Sequence, residues 1–172
     1  MFGLFKPKLA PEGPVEITAD IEIERPASEV YPLLDWADER NAKRALGSTI
    51  TPVEGQADVW HMTWPPMPEL NFEFTVTEAI PHTAYAFGCS ITPRAGKLAH
   101  SHESYRFEDI GEGHCILHLT ETAQFINGLT EKQYAREVAM MAKACQQALI
   151  KLKIHAEHGP EVAAELEGRN FA

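Results

Sequence analysis

Cysteine is scarce in this 172-residue chain, and what there is does not pair up by spacing. Cys89, Cys115 and Cys145 are odd in number, far apart and free of any CxxC pattern. That excludes a disulfide framework and a thiolate metal site, and it reads as three reduced, buried thiols in a cytoplasmic protein. Basic charge is also in deficit. Lys and Arg number 15 against 25 Asp and Glu, a formal net charge of -10, which argues against a nucleic-acid phosphate groove. No apolar run reaches the roughly 18 residues of a membrane-spanning helix, so no integral membrane segment is expected. There is no GxSxG, phosphate-binding loop, dinucleotide fingerprint or HExxH, so no cofactor, no resident metal and no catalytic residue is assigned from motifs.

What is present is a strand-rich middle followed by one long amphipathic helix. Val15, Ile17, Ala19, Ile21 and Ile23 alternate with polar residues, the signature of a strand with one dry face. Pro26 suits the first turn of a short helix through Val30, Leu33 and Leu34, and a second short helix is expected from Asp38 to about Leu46, ended by Gly47. Further strands are expected at 49–53, 59–64, 70–77, 84–90, 99–107 and 114–125. The last two would form a hairpin around the Asp109–Gly113 turn. From about Thr130 to Ala156 the residues Tyr134, Val138, Met141, Cys145, Leu149 and Leu152 recur every three or four positions. Thr130 with Gln133 makes a capping box at its start, and Gly159-Pro160 ends it. Residues 160–172 would add at most one helical turn. The expected layout is a tail at 1–14, one α+β domain at 15–158 and a second tail at 159–172. The Phe and Leu residues of the opening stretch, with Lys6 and Lys8, could touch a partner or a membrane surface.

The run Ile21–Tyr31 (strand into short helix), the Tyr105-Arg106-Phe107 segment before a glycine turn, and the final helix together resemble the SRPBCC, or START-like, helix-grip superfamily. That superfamily includes Bet v 1-like carriers and polyketide cyclase/dehydrase-like proteins. The resemblance spans about residues 15–156. It implies a curved antiparallel sheet of six to seven strands around the long C-terminal helix, with two short helices after the first strand and a cavity between. It also implies a small hydrophobic partner: a lipid, quinone, polyketide or aromatic compound, bound or transported. A cyclase/dehydratase-type enzyme and a chaperone-linked interaction module are the other classes the superfamily contains.

Strand parity and the helix seam nominate the cavity wall: Trp60, Met62, Trp64, Phe72, Phe74, Tyr85, Phe87, Tyr105, Leu117, Tyr134, Met141 and Cys145. Aromatic rings supply contact area, and Tyr and Trp add a polar tip. Each of these residues could equally fill a solid core. If Tyr105 and Leu117 face inward, Glu103 and Glu121 do too, and a carboxyl in an apolar cavity should have a raised pKa and could act as acid or base. A one-residue slip of the 114–125 strand would instead bring His118 and Thr120 inward and turn Glu121 out. His100, His102 and His118 form a candidate metal cluster only on the solvated face. The wide outer face of the sheet leaves a homodimer open.

Overall fold

The structure is a computed structural model and describes residues 7–170. The apolar opening residues Phe2, Leu4 and Phe5 lie outside the described residues.

Strand β1 (Pro14–Ile23) is followed by helices α1 (Ala27–Leu34) and α2 (Ala42–Ala45). Strands β2 (Thr49–Pro52), β3 (Val59–Trp64), β4 (Met67–Ile80), β5 (Ala84–Thr92), β6 (Leu98–Gly111) and β7 (His114–Phe125) come next. Helices α3 (Glu131–His158) and α4 (Pro160–Asn170) complete the order. The strands make one curved, fully antiparallel seven-stranded sheet in the order β1-β7-β6-β5-β4-β3-β2. Each neighbour except the β1–β7 pair follows in sequence, as short turns dictate. Three strands, β4, β5 and β6, run longer than their alternation suggests: β4 continues past a bulge between Val76 and Glu78, β5 pairs with it as far as Thr92, and β6 reaches the hairpin turn itself. In that turn Gly111, Glu112 and Gly113 all have positive φ, which the two glycines adopt without steric cost.

The inner face of β7 is settled. Cys115, Leu117, Leu119, Glu121, Ala123 and Phe125 are buried, while the residues between them are half-buried on the other side. Turning the strand over would bury His118 in place of Leu117, and the apolar set holds the register. On the outer face His118 lies 3.1 Å from Glu108, and His102 lies 2.8 Å from Thr77. No group of three or more metal-ligating side chains converges among the described residues.

Helix α3 begins at the expected capping box. The Thr130 hydroxyl accepts from the Gln133 N–H at 3.3 Å, and the Gln133 side chain accepts from the Thr130 N–H at 2.9 Å. The segment before β1 is tied to the same point: the Ala10 N–H donates to the Leu129 carbonyl at 2.8 Å and the Glu131 N–H to that of Lys8 at 3.0 Å. Helix α3 buries Cys145, Leu149, Leu152 and His155. Its far end is fixed to the end of β1, where the Glu24 N–H donates to Glu157 Oε1 at 2.7 Å and Lys153 Nζ to the Glu22 carbonyl at 2.7 Å.

Two local expectations are corrected. The second short helix is a single turn, Ala42–Ala45, since Asp38 and Asn41 fold the preceding residues into turns through their side chains. Residues 160–170 form a helix of 11 residues rather than one turn. Gly159, at φ +92°, ends α3, and Pro160 then opens α4, a position where its missing N–H costs nothing. Ala163 of α4 is buried.

Candidate functional site

Between the sheet, α1, α2 and the C-terminal half of α3 lies a partly enclosed cavity of about 150 Å³. Its sheet wall is Phe74, Phe87, Glu103 and Tyr105; Leu33, Leu34 and Trp36 close one side, and Leu149, Leu152 and His155 close the other. Ala163 of α4 also reaches it. A larger groove of about 470 Å³ between β1 and α3 is open to solvent, and Asp20 is the one charged residue in its wall, so it lacks the chemistry of the enclosed site.

Trp36 shapes the cavity. It stacks on Phe74 at a centroid distance of 4.1 Å and meets Phe87 edge-on at 5.1 Å. Its backbone is clamped from three sides. The Trp36 N–H donates to the Tyr85 hydroxyl at 3.0 Å, and Arg44 Nη2 donates to the Trp36 carbonyl at 3.0 Å. Buried Asn41 donates to the carbonyls of Leu34 and Asp35 at 3.1 and 3.0 Å. The polar tip of Tyr85, which also donates to Asp35 Oδ1 at 3.3 Å, therefore positions Trp36 and does not reach the cavity wall.

The sheet wall carries the titratable groups. Glu103 and Glu121 are directly opposed in the β6–β7 ladder. The Tyr105 hydroxyl donates to Glu103 Oε2 at 2.5 Å, and the Ser101 hydroxyl bonds the Glu121 carboxyl. Burial pushes Glu121 up to about 8, with the charge of Glu103 adding to the effect. Burial also raises Glu103, against the Tyr105 hydrogen bond and the charge of Lys43, which both lower it. Two such carboxyls titrate as a pair, and burial favours the protonated form of both. Tyr105 is raised far above its ordinary range by burial and by Glu103. Burial lowers His155, favouring the neutral ring. The thiols of Cys89, Cys115 and Cys145 are free, buried and raised by burial.

Of the residues nominated from sequence, Phe74, Phe87, Glu103 and Tyr105 line the cavity. Glu121 stands behind Glu103 at 2% exposure. Leu117, Met62 and Cys145 are buried in the surrounding core, with Trp60, Trp64, Phe72 and Met141 packed against it. Trp36, stacked on Phe74, forms the wall on that side. Tyr134 belongs to a separate cluster, edge-on to Phe125 at 5.9 Å. Sequence reasoning missed Leu33, Leu34, Trp36, Asn41 and His155 as parts of this site.

No protein-family model matches the chain, and no curated protein sequence matches it. Solved structures do. The structure of Ara h 8.0201 has a TM-score of 0.65 at 15% identity, covering 84% of this chain and 98% of that one. The di-domain ARO/CYC BexL from the BE-7585A biosynthetic pathway has a TM-score of 0.68 at 17% identity, covering 83% of this chain and 46% of BexL, so the chain spans about half of that protein. Norcoclaurine synthase from Thalictrum flavum, in complex with dopamine and hydroxybenzaldehyde, has a TM-score of 0.57 at 12% identity, covering 85% and 88%. The fold is the helix-grip fold of these structures, a curved antiparallel sheet around a long C-terminal helix.

Proposed function

We propose that this chain binds a small, largely apolar molecule about one aromatic ring in size, in the cavity under α3. The cavity itself carries this reading: about 150 Å³ walled by Trp36, Phe74, Phe87, Leu149 and Leu152. An engineered apolar cavity of about that volume holds benzene or xenon. Pockets for drug-sized ligands run from about 300 to 1,000 Å³. Size therefore favours a single ring over a lipid chain or a multi-ring polyketide. The neighbour structures support ligand binding by this fold, and the two molecules named with norcoclaurine synthase are each single-ring.

Burying about 200 Å² of ring surface would give about 5 kcal/mol, hence a Kd on the order of 0.1–1 mM. Toluene or phenol at tenfold its Kd should stabilise the protein by about 1.4 kcal/mol and raise Tm by about 3–5 °C. Palmitate should not. No shift with any single-ring compound up to its solubility limit would count decisively against the reading.

The opposed carboxyls favour a second reading, a proton-transfer enzyme. A buried carboxyl with a raised pKa, as Glu103 has, beside a bound molecule can give or take a proton. Exchange of the α-protons of phenylacetone in D2O, lost in Glu103→Gln, would support it; exchange no faster than in buffer would remove it.

The third class, a protein-interaction module, has less support. Among the described residues, the exposed large apolar residues Leu9, Met67, Ile80, Ile110, Met140, Ile150 and Val162 are scattered over the segment before β1, β4, β6, α3 and α4. No helix of the described residues is long and apolar enough to cross a membrane.

A further inference from the structure

Among the described residues, the cavity is lined by two lysines, Lys43 and Lys151, and one carboxyl, Glu103. That balance runs against the chain as a whole, in which 25 Asp and Glu face 15 Lys and Arg. The two lysines come from different elements. Lys43 sits in the single turn of α2, its N–H donating to the buried Asn41 side chain at 2.9 Å. Its charge is felt at Glu103. Lys151 belongs to the inner stripe of α3: Ala148, Leu149, Lys151, Leu152 and His155 all line the hollow, at the three- and four-residue spacing of one helix face. Depth separates the two kinds of lining. Trp36, Phe74 and Phe87 are each at most 5% exposed, whereas Lys43 and Lys151 are half-buried and reach solvent. The hollow therefore runs from an aromatic floor to a cationic rim. Both lysines take part in interactions within the protein. An ammonium has three N–H donors, enough for a protein partner and a ligand oxygen together. Glu103 accepts the Tyr105 hydroxyl at Oε2, and burial favours its neutral form, which does not repel an anion.

We propose that the cavity takes a small aromatic acid, with its ring among Trp36, Phe74 and Phe87 and its carboxylate at the rim with Lys43 and Lys151. This rests on the ligand-binding reading above and names the chemical class of the ligand. A carboxylate brings acceptor oxygens and a negative charge to a rim bordered by two cations. At the rim it keeps part of its hydration, so it escapes the desolvation cost of a charge in the core. A neutral ring of equal size fills the floor and leaves the rim to water. A ring carrying an ammonium is repelled there.

Calorimetric titration of the full chain with benzoate, benzyl alcohol, benzylamine and toluene at pH 7.5 tests this. Benzoate should bind about tenfold more tightly than benzyl alcohol, and benzylamine more weakly than either. The net charge of -10 would by itself give the opposite order, so the preference reports the rim. Raising salt from about 0.02 M to about 0.5 M should narrow the advantage of benzoate and leave toluene nearly unchanged. Lys43→Gln and Lys151→Gln should each cost benzoate about threefold or more and leave toluene unchanged, which also shows that the variants are folded. Benzoate binding no more tightly than benzyl alcohol, or with unchanged affinity in both lysine variants, overturns the inference. If toluene binds while benzoate shows no preference, the acid assignment fails and the single-ring cavity stands. If none of the four binds, both fail.

Discussion

Glu103 and Glu121 are Cα partners across the β6–β7 ladder, and both side chains project from the inner face of the sheet. Residues directly opposed in an antiparallel pair share a face, so the strand pairing that makes the sheet also presses two carboxyls together away from water. The fold accommodates this by keeping them protonated in part and by giving each a hydroxyl partner.

Stability should fall as pH rises. The folded-state pKa of Glu121, about 8, lies above its ordinary 4.5, so the folded state holds a proton that the unfolded chain has released across that window. This contribution is fully present below about pH 4.5 and gone above about pH 8. It falls between them by up to about 1.4 kcal/mol per pH unit. Glu103, also raised, adds in the same direction. Denaturant titrations at pH 5 and pH 8 should show the difference, and Glu121→Gln should flatten it by gaining stability at pH 8.

Tyr105→Phe removes the hydroxyl that donates to Glu103. That bond lowers the Glu103 pKa, so the variant should titrate Glu103 at higher pH than the wild type. It should also lose about 1–3 kcal/mol of stability at pH 8, where the carboxyl is left short of a partner. Carboxyl 13C shifts followed against pH measure the first effect.

Leu149 is buried on α3 and lines the cavity. Leu149→Ala should cost about 2–5 kcal/mol and enlarge the hollow. Naphthalene, excluded from the wild type, should then raise Tm.

Cys145 should be unreactive in the folded protein. Burial first, then the nearby carboxyls, push its thiol up to about 12. At pH 8 iodoacetamide should leave Cys145 unmodified in buffer and alkylate it in concentrated guanidinium chloride.

The alternation of β1, β4 and β7, the T-x-x-Q box and the α3 seam were legible because local periodicity and capping chemistry decide them. Glu103 and Glu121 were legible as a pair once Tyr105 and Leu117 were taken as inward, since parity is inherited along a strand. His155 was within reach: it lies three residues beyond Leu152 on the same seam. Helix α4 was within reach too, because the Pro160 that blocks continuation of α3 is also a favoured first residue of a new helix. Trp36 was not. Its place depends on Tyr85, Arg44 and Asn41, contacts up to 49 residues apart that no local pattern encodes. Trp36 packs against Phe74 and Phe87 in the wall, so the wall could not be read in full without it.

The hollow itself is the central claim, and xenon tests it without regard to ligand chemistry. Crystals pressurised with xenon should show an anomalous peak bounded by Phe74, Phe87, Leu149 and Leu152, with the side chains unmoved. A site free of xenon, its rings and leucines packed against one another, would contradict the account.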